Sequence, residues 1–133
     1  MNPAARPTRC FHVWFSTKGR KPVLVEEIRE TVLSLLRSNA VKAGVRLIEV
    51  EAIEDHVHLL VELQAGQSLS SVMHQLKGAT ARGIRLKYAE LGLDMESNSL
   101  WQKSYGARPV PPDQVETVRN YLLTQSGRPL RHE

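Results

Sequence analysis

The chain has 133 residues, 41% hydrophobic and 24% charged, proportions of an ordinary globular protein, and one domain with its own core is expected at this length. No apolar run nears the roughly 20 residues of a membrane span, and residues 1–9 lack the apolar core of a secretory leader, so a cytoplasmic protein is the simplest expectation. Lys and Arg number 18 against 14 acids, a net charge of +4, which favours a polyanionic partner without requiring one.

Pro3 and Pro7 punctuate a lead-in over residues 1–8 that is expected to be flexible. Phe11, Val13 and Phe15 then alternate with Cys10, His12, Trp14 and Ser16, the period of a strand. Cys10 is the single cysteine, which excludes an internal disulfide and reads as a filler on a strand face. After the basic turn Lys18-Gly19-Arg20-Lys21, residues Val25, Ile28, Val32, Leu35, Leu36 and Asn39 recur at helical spacing up to Gly44. Residues 45–54 predict a second strand, joined almost directly to a third, so the two are expected to be antiparallel neighbours.

That third strand is Asp55-His56-Val57-His58-Leu59-Leu60-Val61-Glu62-Leu63, in which Val57, Leu59, Val61 and Leu63 are apolar and only Leu60 breaks the alternation. Both histidines project from one face, as they would not on a helix. Such a pair is half of a divalent-metal site, although His-x-His alone is more often two surface histidines. Ser68 caps a second helix carrying Leu69, Val72, Met73, Leu76 and Ile84 to about Leu91, with Gly78 and Gly83 permitting close approach of a neighbour. Residues 92–104 read as a loop and 105–110 as a short final strand. In Pro111-Pro112-Asp113, Asp113 with Glu116 predicts a capping box for a third helix with Val115, Val118 and Leu122 as its buried stripe. Tyr121 and Gln125 lie one turn apart on its side, and Gly127 and Pro129 end it.

Strand, helix, strand, strand, helix, strand, helix is the order of a ferredoxin-like (RRM-like) α+β fold: a four-stranded antiparallel sheet, two packed helices and one added C-terminal helix. The domain is expected over residues 9–126, with flexible tails at 1–8 and 127–133. The first and third strands would be central neighbours, bringing His12 and Trp14 beside His56 and His58 on the face away from the core.

Asp-His-Val-His-Leu-Leu-Val at 55–61, Leu76-Lys77-Gly78, Trp101-Gln102-Lys103-Ser104-Tyr105-Gly106-Ala107, and Tyr121-x-x-x-Gln125 stand in this order. Together they resemble the single-tyrosine HUH transposases of small bacterial insertion sequences, including those associated with repetitive extragenic palindromes. The resemblance runs from Phe11 to Gln125. It implies homodimers acting on single-stranded DNA hairpins at transposon ends. It also implies that His56, His58 and Gln125 are ligands of a divalent metal and that Tyr121 is the nucleophile, forming a 5′-phosphotyrosine. Imidazole ligands tilt the metal toward Mn²⁺ and cellular abundance toward Mg²⁺.

Lys77, Arg82, Arg85, Lys103 and Arg108 are the expected phosphate contacts, each basic run also being readable as a solvated face. His12 reads as structural or DNA-facing, and Tyr88 and Tyr105 as packing residues. Trp14 and Trp101 either stack on unpaired bases or pack in the core. Arg108-Pro109 stands where the family commonly has an aromatic and a small polar residue, which puts the final strand in question, and only His132 remains of a C-terminal histidine pair. The resemblance suggests an active site shared in trans, and the proline-stiffened connector at 107–112 permits the last helix either to stand off its own sheet or to fold back in cis. Two other readings are a domesticated nuclease processing genomic palindromes and a non-catalytic ferredoxin-like nucleic-acid-binding protein. Tyr121 and Gln125 speak against the last, since binding requires neither.

Overall fold

Alternation of apolar and polar residues builds four strands, β1 (Arg9–Ser16), β2 (Arg46–Ile53), β3 (His56–Leu63) and β4 (Gly106–Val110), and the helical periodicities build α1 (Glu26–Ala43), α2 (Leu69–Glu90) and α3 (Val115–Thr124). The computed structural model describes residues 8–90 and 100–124. Pro3, Pro7, most of the expected 92–104 loop, Gln125, Gly127, Pro129 and His132 lie outside the described residues. The strands form one antiparallel sheet in the order β2-β3-β1-β4. This is the ferredoxin-like arrangement, with β1 and β3 at the centre as expected.

The inward-facing set Val13, Phe15, Val57, Leu59, Val61 and Leu63 joins Val32, Leu36, Met73, Leu76 and Ile84 of the two long helices in the main core. Gly83 lets α2 lie close against the Leu35 side chain of α1: a Cβ there would lie 2.5 Å from Leu35 Cδ1. At Gly78 a Cβ would meet only the Arg82 side chain, at an ordinary 3.5 Å, so that glycine serves no close approach among the described residues. Gly44 closes α1 at φ 73°, where a side chain would be strained, and the amide of Val45 reaches back to Ala40 O at 3.1 Å. Ser68 Oγ accepts from the Ser71 amide at 3.2 Å and so starts α2 as its sequence predicts.

Leu60, the residue that breaks the β3 alternation, has a tertiary reason. It lies on the second face of the sheet and forms a smaller core with Val110, Val118 and Leu122, against which Cys10, Ile48 and Val115 are partly buried. The connector therefore brings α3 back onto its own sheet, and Arg119 Nε pairs with Glu49 of β2 at 3.2 Å. The expected capping box does not form. Asp113 lies inside a 3₁₀ turn, Pro112–Gln114, preceded by Pro111 without a side-chain cap. Consecutive prolines supply the φ of a helical start and carry no N–H to be capped, so the turn begins ahead of Asp113. Arg108-Pro109 does not disrupt β4, because this strand pairs only with β1 at the sheet edge, where a missing N–H need not break a ladder.

Candidate active site

Pairing of β1 with β3 sets Trp14 opposite His58 and Ser16 opposite His56, all on the face away from the main core. The His56 and His58 rings lie 5.0 Å apart at 81°. His56 Nδ1 is 2.7 Å from Asp55 Oδ1, and Arg20 Nε lies 3.4 Å from the other oxygen of that carboxylate. The hydrogen bond with His56, aided by the Arg20 guanidinium, holds the Asp55 carboxyl below its ordinary range. His58 Nδ1 is 3.0 Å from His12 Nε2, with the two rings stacked 5.3 Å apart. Burial, and then the neighbouring His56 and His12, push the His58 pKa down to about 4, which keeps this imidazole neutral.

His12 is the residue whose part the sequence did not disclose. Alternation put it on the correct face, yet its partner follows only from register and rotamer. It is buried, its Nδ1 has no hydrogen-bond partner among the described residues, and burial followed by the Arg108 charge lowers its pKa. Glu51 pairs across from His58, but its carboxylate lies 3.6 Å from Arg29 Nη2 and its charge is already matched.

Among the described residues no group of three or more His, Cys, Asp and Glu is placed to hold a metal ion. The strand supplies two donors; the expected third, Gln125, is outside the described residues. Those two donors fit a divalent cation. Each histidine has Nδ1 occupied by a neighbour, leaving Nε2 for a ligand, which is how metal-bound histidines are commonly oriented.

Tyr121 stands on α3 with half its surface exposed, beside the buried Leu122. Its helix is seated on Leu60, the next residue of β3 after His58 to point to the same face. Tyr88 and Tyr105 pack against the main core, and burial raises the Tyr88 pKa. Trp101 is also a core residue, its ring set at 87° to that of Phe15 with the centroids 4.7 Å apart. Trp14 is different: it is 38% exposed, and a Cβ at Gly106 would lie 2.2 Å from its ring, so the indole lies across the glycine of the adjacent strand.

The basic residues divide. The Lys77 ammonium donates to the carbonyls of Gln102 at 2.7 Å and Ser104 at 3.1 Å and lies 5.4 Å from the centroid of Phe15, and its burial lowers its pKa. It anchors the segment leading to β4. Arg82 and Arg85 are exposed on α2, which covers the main-core face and so lies across the sheet from the histidines. Lys103 and Arg108 are exposed as well, and Arg108 pairs across from His12 on the histidine face.

A histidine pair on a central strand and a tyrosine helix on the same face invite comparison with known proteins. A family model described as "Transposase IS200 like" matches residues 8–125. The chain belongs to the IS200-like transposase family. The ISDra2 transposase TnpA of Deinococcus radiodurans is 30% identical over 118 residues, covering 89% of this chain and 84% of the relative. The transposase for insertion sequence element IS200 of Salmonella typhimurium is 30% identical over 115 residues, 86% of this chain and 75% of the relative. A crystal structure of a candidate transposase from Deinococcus radiodurans R1 superposes with a TM-score of 0.74 at 26% identity and covers 96% of this chain and 98% of its own. A REP-associated tyrosine transposase bound to a REP hairpin gives 0.64 at 12% identity, over 94% and 72% of the two chains, a likeness of fold. This chain is thus a transposase with a ferredoxin-like sheet. No helix among its described residues is long and apolar enough to cross a membrane.

Proposed function

We propose that this transposase cleaves and rejoins single-stranded DNA at hairpin-bearing ends through a 5′-phosphotyrosine formed by Tyr121. The observation that carries the reading is that one sheet face presents His56 and His58 and also, through Leu60, seats the helix bearing a half-exposed Tyr121. In the step, the tyrosine hydroxyl gives up its proton as its oxygen forms a bond to phosphorus, the bond to the departing 3′ oxygen breaks, and that oxygen takes up a proton, so the proton count is unchanged. Reversal by a new 3′-hydroxyl rejoins the strand without an external energy source. Water in place of tyrosine would discard the bond.

A phenol of pKa ~10 is mostly protonated at neutral pH, so the site must help the charge that develops. His56, His58 and Gln125 would hold Mg²⁺ or Mn²⁺, which when bound neutralises charge on the scissile phosphate. The chain's own residues hold what surrounds it. Asp55 fixes the His56 ring, Arg108 offers a guanidinium to a phosphate on this face, and Trp14 offers an exposed indole on which an unpaired base can stack. Lys103, Arg82 and Arg85 extend the basic surface for flanking DNA, and Lys77 contributes by holding the 102–104 segment. The hairpin in the fold relative supports a hairpin substrate here. In a dimer, the exposure of Tyr121 suits delivery of its hydroxyl to the histidines of the partner subunit. The reaction is placed in the cytoplasm, where the DNA of the bacterial relatives lies.

The test is adduct formation. Wild-type chain with a labelled single-stranded hairpin and Mn²⁺ should give a protein–DNA species that survives denaturant. Tyr121→Phe should give none, with hairpin affinity kept within about tenfold, or ~1.4 kcal/mol. An adduct formed by the Phe variant would place the nucleophile elsewhere.

A further inference from the structure

His12 is buried at 4% exposure on the face that carries the candidate site, where a half-satisfied imidazole is a costly choice over Phe or Leu. Among the described residues its Nδ1 meets no partner, so its one ring hydrogen bond is the 3.0 Å contact from Nε2 to His58 Nδ1. The two rings share a single proton across that contact. If His12 Nε2 holds it, His58 Nδ1 accepts, and a neutral His58 must then carry its proton on Nε2, where it cannot ligate. If His58 Nδ1 holds it, His12 accepts and the His58 Nε2 lone pair is free.

The neighbouring histidine offers the comparison. His56 Nδ1 faces the Asp55 carboxylate, an acceptor with no proton to give, so the His56 tautomer is settled by its own neighbour in sequence. His58 has no such carboxylate at its Nδ1; it has His12, from the adjacent strand. We propose that His12 is a positioning residue, whose Nε2 accepts the His58 Nδ1 proton and thereby fixes the His58 ring and frees its Nε2 for the metal. The proposal rests on the metal-site reading of His56 and His58, and it assigns to β1 a share in a site whose histidines stand on β3.

Histidine-selective ¹⁵N NMR of the metal-free protein should find His58 with its proton on Nδ1. His12→Gln, whose side-chain oxygen can take the place of Nε2 as acceptor, should keep that tautomer, and His12→Phe, of similar shape but without an acceptor, should lose it. Mn²⁺ titration followed by electron paramagnetic resonance should show affinity lowered about 10- to 100-fold in His12→Phe and largely kept in His12→Gln. Far-ultraviolet circular dichroism and hairpin binding in chelator check that each variant is folded. His56→Ala serves as the reference for loss of a ligand. Wild-type affinity in His12→Phe with loss in His56→Ala would overturn the role of His12 and leave the metal site standing. A wild-type protein that binds no Mn²⁺ would remove both, and His58 with its proton on Nε2 in the metal-free protein would overturn the proposal by itself.

Discussion

At the scale of single residues, burial on the histidine face favours the neutral forms of His12 and His58. The His58 pKa of about 4 lies below the ordinary 6.5, so as pH falls the unfolded chain takes up the proton before the folded one. His58 therefore contributes stability that is complete above about 6.5 and is lost as pH falls toward 4. In chelator, the melting temperature should drop over that window, and His58→Gln should flatten the drop. An unchanged slope in the variant would assign the acid sensitivity to other groups. Lys77 and Arg108 make a second residue-scale contrast, since one cation is occupied by carbonyls and the other is exposed on the histidine face. Arg108→Ala should reduce the slope of log affinity against log salt by about one. Lys77→Ala should instead lower the melting temperature while leaving that slope nearly intact. The reverse pattern would make Lys77 the phosphate contact and Arg108 the structural residue.

At the scale of elements, α3 is attached through a small core of its own. Leu60, Val110, Val118 and Leu122 are shut off from the main core by the sheet. A buried Leu→Ala change costs about 2–5 kcal/mol. At Leu122 that loss falls on the docking of one helix more than on the sheet. Leu122→Ala should thus release α3 amides to fast hydrogen exchange while the β1 and β3 amides stay protected. Uniform loss of protection would mean that α3 and the sheet unfold as one unit. The same docking explains how the tyrosine is presented: the helix is held by Val118 and Leu122, and Tyr121 stands off that stripe with half its surface free.

At the scale of the molecule, the question is whose histidines Tyr121 meets. α3 lies on its own sheet, yet the exposed tyrosine suits a site completed by a second copy. Mixing inactive His56→Ala chains with inactive Tyr121→Phe chains, under conditions where dimers exchange, distinguishes the arrangements. Sites in trans should restore cleavage, because a heterodimer then contains one site with both parts intact. Sites in cis should leave the mixture inactive, since every site carries a lesion.

The sequence by itself determined the elements and the faces. Alternation in β1 and β3, helical spacing in α1 and α2, and their order were enough for the ferredoxin-like sheet and for placing His56 and His58 on one side. These are properties of neighbours along the chain, set by the two-residue and 3.6-residue periods of the backbone. What the periods do not carry is which residue meets which across the fold. Leu60 looked like a fault in a strand until α3 covered it, Lys77 showed only its charge until the carbonyls of residues 102–104 met its ammonium, and Asp113 looked like a cap until two prolines started the turn ahead of it. His12 and His58 stand 46 residues apart, and only strand register and ring orientation decide that Nε2 of one meets Nδ1 of the other. A tautomer, a docked helix and an occupied cation are pairings, and pairings are fixed by packing between segments rather than by the pattern within one.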